Sequence, residues 1–293
     1  MPLIDMPLAQ LRTFQGLNPC PKDIDEYWDR AIAEMEALGT DCTLVPASFQ
    51  TPGAKCYDLY FTGVGGARVH AKLVKPTNYE GKRPAVLEFH GYSGNCGGFA
   101  GKLAYACAGF VVAALDARGQ GGYSEDPIPV KGTTQNGHII RGLSDPDPEK
   151  LYFRSVFLDT AQLARIVMAM DDVDETRVGA KGGSQGGALT LACAALTPRS
   201  TAPLRPVPSC AITGACGRWT WRQTPMPSSK PISAISTRAT SGKTKFSPSS
   251  AISITKTWRT AFARAFDVHR PDGQHLPALD PIRRVQQDHR AQG

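Results

Sequence analysis

At 293 residues, 41% of them hydrophobic, the chain can hold one large α/β domain or two small ones around a sizeable core. The net charge of +7 would suggest acidic partners, but residues 1–199 hold 19 Lys+Arg against 22 Asp+Glu and residues 200–293 hold 14 against 4, so the whole excess lies in the tail. Eight cysteines with no C-x-x-C pair argue against a disulfide scaffold, a zinc site or a redox motif and read as reduced thiols.

The N-terminus has neither a charged region nor a long apolar stretch, so no signal peptide is visible. No apolar run approaches the ~20 residues of a membrane span. A cytoplasmic protein without membrane partners is the expectation. Residues 21–38 read as an amphipathic helix, acidic in its first turns, with Ile24, Trp28, Ile32, Met35 and Leu38 along one face. Residues 57–75 read as a hairpin turning at residues 63–66. The apolar runs at residues 84–91 and 110–118 suit buried parallel strands, with a crossover helix at residues 97–108 between them. A second helical pattern covers residues 149–170. The order strand, helix, strand, helix, strand and helix predicts an α/β fold, with a mostly parallel sheet and flanking helices.

Residues 177–189 close this pattern with a short strand, Gly182-Gly-Ser184-Gln-Gly186, and the start of a helix. A strand–turn–helix around G-x-S-x-G is the setting of a nucleophile elbow, in which flanking glycines permit the sharp turn that exposes the serine. A serine hydroxyl needs a base to take its proton and donors to hold the oxyanion. The N–H of Gln185 is one candidate donor, and that of Tyr92, in the His90-Gly-Tyr-Ser-Gly94 loop, is the other. A flexible or phosphate-binding glycine turn is the plainer alternative. A dinucleotide site is excluded because no G-x-G-x-x-G opens the first βα unit. His90 reads as a loop-structuring residue, His70 as a packing or surface residue on a strand, and His138 as a loop residue.

Together with Asp116-Ala-Arg-Gly-Gln-Gly121, Gly137-His-Ile-Ile-Arg-Gly142 and Tyr152-Phe-Arg, these segments resemble the acetyl xylan esterases and cephalosporin C deacetylases. These enzymes form carbohydrate esterase family seven, of the α/β-hydrolase superfamily. The resemblance covers residues 1–198. It implies deacetylation of short acetylated sugars, such as xylo-oligosaccharides, or of other small acetyl esters through an acetyl-serine intermediate. It also implies a ring-shaped homo-oligomer, commonly a hexamer, with no metal or organic cofactor. By this resemblance Ser184 is the nucleophile, Tyr92 and Gln185 form the oxyanion hole, and Arg118 and Gln120 are a structural pair near the site.

The family's acid lies in a Gly-Leu-Met-Asp segment and its base in a Gly-His-Glu segment, and residues 200–293 contain neither. They have no Glu and no Tyr, but 21 Ser+Thr and 10 Pro, a composition that offers little apolar surface against the entropy of ordering. The chain thus divides into a partial esterase domain, 1–199, and a basic tail, 200–293, expected to be poorly ordered. A two-base shift over Ser209–Ile254, and a one-base shift over Val268–His289, permit sequences like the family's C-terminal half, the second with Gly-Leu-Met-Asp. We read the tail as out of frame, with one indel near residues 199–208 and another near 264–268. In the restored frame the family histidine would lie beyond residue 293. Asp267, His269, Asp272 and His275 are poor substitutes, since an acid and a base would have to fall beside Ser184 by chance. The alternative is an inactive hydrolase remnant or a binding protein. In the latter the +10 tail, with Trp219, Trp221 and Trp258, would grip nucleic acid or another polyanion.

Overall fold

The structure, a computed structural model, describes residues 21–128, 141–142 and 145–197 and the backbone of residues 205–208. Its first element is helix α1, Ile24–Glu36, with Asp25 and Glu26 in the first turn, where the helix dipole favours negative charge. The buried face carries Ile24, Tyr27, Trp28, Ala31 and Met35; Ile32 is half-buried and Leu38 lies beyond the helix end, exposed. The face is therefore turned toward Tyr27 and Ala31 relative to the one predicted. Helix α1 lies on a later helix, where the Tyr27 hydroxyl donates to the Pro148 carbonyl and Arg154 pairs with Glu34 at 2.7 Å.

Strands β1 (Cys42–Pro46), β2 (Ala54–Gly63) and β3 (Ala67–Pro76) form an antiparallel meander, with Gly63 opposite Ala67. The predicted hairpin is real and longer than expected, and its turn is a 3₁₀ segment, Val64–Gly66. Strand β4 (Arg83–Phe89), a short helix α2 (Leu103–Cys107) and strand β5 (Val111–Leu115) follow. The crossover is mostly loop and 3₁₀ turn, because glycines at 97, 98 and 101 crowd the first part of the stretch 97–108 predicted as a helix. Helix α3 (Tyr152–Met168), strand β6 (Val173–Gly182) and helix α4 (Gln185–Leu196) complete the pattern. Strand β7 (Arg205–Pro208) then pairs parallel to β6, which extends the sheet into the region that composition sets apart as tail.

The sheet order is β1-β2-β3-β5-β4-β6-β7. Pairing is parallel for β5/β4, β4/β6 and β6/β7 and antiparallel from β1 through β5, so the parallel half is the one that carries Ser184. Side chains alternate across the strands and sort the core into two clusters. Val69, Ala71 and Leu73 of β3, with Val111, Ala113 and Leu115 of β5, face α1, α3 and α4. Cys56, Val74 and Val112 face Phe99 and α2. Helix α3 is buried nearly all round, and each of its buried Phe, Leu and Val side chains contributes about 1.5–3 kcal/mol by leaving water.

Candidate active site

In an open α/β sheet the crevice lies at the carboxyl ends of the parallel strands. Strands β5, β4 and β6 end level here: Phe89 is in register with Leu115 on one side and with Gly182 on the other. The loops leaving these ends are residues 90–98, 116–123 and 183–184, and they carry Tyr92, Arg118, Gln120 and Ser184, with Gln185 following as the first residue of α4.

Ser184 sits between β6 and α4 with φ 54° and ψ −119°. A non-glycine residue in that region is strained by about 1–3 kcal/mol, and the surroundings must hold it there. They do so by close packing. A Cβ on Gly186 would run into the Phe89 carbonyl, and one on Gly182 would run into the Gly186 backbone. Both glycines are therefore required for α4 to start directly over the end of β4. Ser184 is exposed, and the Gln185 N–H is the first of α4, among the donors that a helix leaves without an internal acceptor.

The loop after β4 is shaped by its own anchors. His90 Nε2 accepts the Ala117 N–H at 2.9 Å, so the ring proton is on Nδ1, which donates to the Gly91 carbonyl at 2.7 Å. Burial pushes the His90 pKa down and keeps the ring neutral. With both nitrogens engaged, His90 structures the loop, as expected, and is unsuited to be the base. Ser93 takes a positive φ of 58°, and its N–H donates to Gln120 Oε1 at 2.9 Å. Gln120 and Gln185 face each other as reciprocal amides, at 2.9 and 3.0 Å, and Gln120 Nε2 also donates to the Tyr152 hydroxyl. One amide thus ties the Tyr92 loop to the residue that follows Ser184.

Arg118 is fully buried and bidentate on Asp159, with Nε to Oδ2 at 2.7 Å and Nη2 to Oδ1 at 2.5 Å; Nη1 donates to the Val64 carbonyl. Burial pushes the Asp159 carboxyl up and the guanidinium opposes it. Tyr152, whose phenol burial pushes up to about 12, donates to the Arg118 carbonyl. Behind this layer lies Asp116. Its Oδ1 accepts the Cys96 N–H, and its Oδ2 accepts from the Tyr123 N–H and from His70 Nδ1. Burial alone would raise Asp116. The hydrogen bonds of His70, then those of the Tyr123 and Cys96 N–H groups, outweigh it and hold the carboxyl well below the usual range. Asp116 therefore contributes stability that is fully present above its ordinary value of 3.8 and is withdrawn as pH falls below that value. We expect the urea midpoint to drop on acidification below about pH 4, and to drop less in Asp116→Asn.

The acetyl xylan esterase (AXE1) family matches residues 1–211. The chain belongs to that family. Acetyl xylan esterase 1 from Thermoanaerobacterium sp. JW/SL YS485 is 47% identical and superposes with a TM-score of 0.71, over 88% of this chain and 77% of that one. The acetyl xylan esterase of Paenibacillus sp. R4 is 27% identical, with a TM-score of 0.67 over 87% and 78%. Acetyl esterase Axe7A of Xylanibacter ruminicola is 28% identical over 197 residues, which span 62% of this chain and 42% of that relative. These relatives establish the α/β-hydrolase fold seen in the sheet order.

The structure brings Tyr92, Arg118, Gln120, Ser184 and Gln185 of this family member to one end of the sheet. His138, Asp267, His269, Asp272 and His275 lie outside the described residues. Among the described residues no side chain hydrogen-bonds to Ser184 Oγ, and neither His70 nor His90 has a ring nitrogen to spare for it. His70 is neither simple packing nor surface. It is fully buried, with Nδ1 2.6 Å from Asp116 and Nε2 3.0 Å from Asp58. The sequence reading does not find Asp159, although it is the sole carboxylate of helix α3. One cluster among the described residues, His70, Cys96 and Asp116, has the composition of a metal site. Its Nδ1 and carboxylate already bond each other, and burial pushes the Cys96 thiol up to about 12, away from the thiolate a metal needs. No helix among the described residues is long and apolar enough to cross a membrane.

Proposed function

We propose that this chain is built to remove acetyl groups from small acetylated sugars, xylo-oligosaccharides first, through an acetyl-Ser184 intermediate. The single observation that carries the reading is the backbone of Ser184. A strained serine, wedged between two glycines that tolerate no side chain, stands exposed at a helix N-terminus. In this reading the Tyr92 and Gln185 N–H groups receive the oxyanion, and Gln120 sets the distance between them. Attack forms the bond from Ser184 Oγ to the acetyl carbon and expels the sugar hydroxyl, and water then releases acetate. Cephalosporin C, with its small acetyl ester, belongs to the same substrate class. The five described cysteines are unpaired thiols, which supports a reducing, cytoplasmic setting.

The proton that leaves Ser184 needs the family's histidine and aspartate, and residues 200–293 as written contain neither family segment. We take the frame change in the tail as the reason. The test is to express the gene in a continuous frame that carries both segments. That protein should release acetate from acetylated xylo-oligosaccharides and give an acid-quenched acetyl adduct on Ser184, lost in Ser184→Ala. Equal turnover of long acyl esters, or an adduct elsewhere, would sink the reading.

A further inference from the structure

Both ring nitrogens of His70 point at carboxylate oxygens, Nδ1 at Asp116 and Nε2 at Asp58. A carboxylate offers only acceptors, so each nitrogen has to bring a proton, and a histidine that donates from both sides is an imidazolium. The side chain is fully buried, and a charge in that position persists only when it is paired and hydrogen-bonded. Here it is paired twice. The groups around it are few: Asp58 and Tyr60 on β2, Asp116 at the end of β5, and Cys96, Tyr123 and Ser124 on the loops. Arg68 lies over the Tyr60 ring.

The pairing leads toward the site. Asp116, held by His70, receives the Cys96 N–H of the Tyr92 loop. The Gly121 N–H donates to the Gly94 carbonyl, which locks that loop to the one carrying Gln120. On its other side the same loop is held by cations: Lys72 donates to the Gly97 carbonyl at 2.8 Å, and Lys102 donates to the Cys96 carbonyl. Residues 94–98 are thus clamped between one carboxylate and two ammonium groups, and His70 sets the carboxylate.

We propose that His70 is a positioning residue, a buried imidazolium between Asp58 and Asp116 that fixes the loop bearing the Tyr92 oxyanion donor. The proposal rests on the esterase reading of Ser184, Tyr92 and Gln185. Its charge state and its hold on the loop are properties of the full chain that do not depend on turnover.

Two measurements on the full-length protein test it. With ¹⁵N-labelled histidine, two-bond ring correlations at pH 7 should show both His70 nitrogens protonated, and His90 protonated at Nδ1 only. The His70 signals are assigned by their loss in His70→Gln. In Asp58→Asn the new amide can donate to Nε2, so the ring should become neutral and keep its Nδ1 proton on Asp116. By hydrogen exchange, His70→Gln should lose at least about tenfold protection in residues 92–98 while α1 and α3 stay unchanged. Asp58→Asn should keep that protection. In the continuous-frame protein, His70→Gln should lower kcat by about 10- to 100-fold at little changed KM, the scale of a slightly misplaced catalytic group. An unprotonated ring nitrogen on wild-type His70 would overturn the charge. Protection lost everywhere alike, or nowhere, would overturn the positioning role. Failure of the continuous-frame protein to turn over any acetyl ester would instead defeat the Ser184 reading, with the ring and exchange results still standing.

Discussion

The chain as written should turn over 4-nitrophenyl acetate on the order of 10⁶-fold more slowly than the continuous-frame protein, and Ser184→Ala should slow it little further. The two halves of that expectation have one origin. In a nucleophile–base–acid unit the residues act together, so loss of the base costs about as much as loss of the whole unit. On the proposed reading, what survives is an oxyanion hole that assists attack by water, worth about 10³–10⁴ over the uncatalysed reaction. Among the described residues, Ser184 has its strained backbone and both flanking glycines in place, so the nucleophile side is complete. In the continuous-frame protein the same Ser184→Ala change should cost the full factor. The comparison is a four-variant kinetic cycle under one set of conditions. Normal turnover by the chain as written would show that a base and an acid are supplied from residues 200–293, and the out-of-frame reading would fall with it.

The nucleophile elbow was legible because its physical requirement is local. A strand, two glycines that permit close approach, a serine and a helix start all lie within residues 173–196. The loop at residues 90–94 was legible for the same reason, as was the role of His90, whose partners Gly91 and Ala117 sit at the ends of adjacent strands. The layer beneath the site was not legible. Asp58, His70 and Asp116 come from β2, β3 and the end of β5, and only the antiparallel register of that half of the sheet brings them together. Strand periodicity places His70 on a face but not against a carboxylate. The turned face of α1 is a similar case. Tyr27 replaces Leu38 in the core because its hydroxyl reaches the Pro148 carbonyl just before α3, a partner that the spacing of apolar residues does not reveal.

Arg118→Met or Asp159→Leu alone should each cost about 3–5 kcal/mol in a urea titration, whereas the double variant Arg118→Met/Asp159→Leu should fall near the wild type. The pair is fully buried on both sides, and its attraction does little more than repay the desolvation of two ions. Removing one partner leaves the other charged, or its hydrogen-bonding atoms unmet, in a place water cannot reach. Removing both and filling the space avoids that cost. The volume has to match closely, because a Cβ on Gly63 would already collide with the Asp159 carboxylate and the Arg118 guanidinium. Additive losses in the double variant would show that the pair contributes net stability and would defeat this argument. Function is the reason we give for keeping so costly a pair. Arg118 offers its carbonyl to the Tyr152 hydroxyl at 2.5 Å, and that hydroxyl in turn accepts from Gln120 at 3.0 Å. In the continuous-frame protein the double variant should fold well and still lose activity, about 10- to 100-fold in kcat, because the carbonyl of residue 118 is kept but the buried pair that fixes its position under Tyr152 and Gln120 is gone.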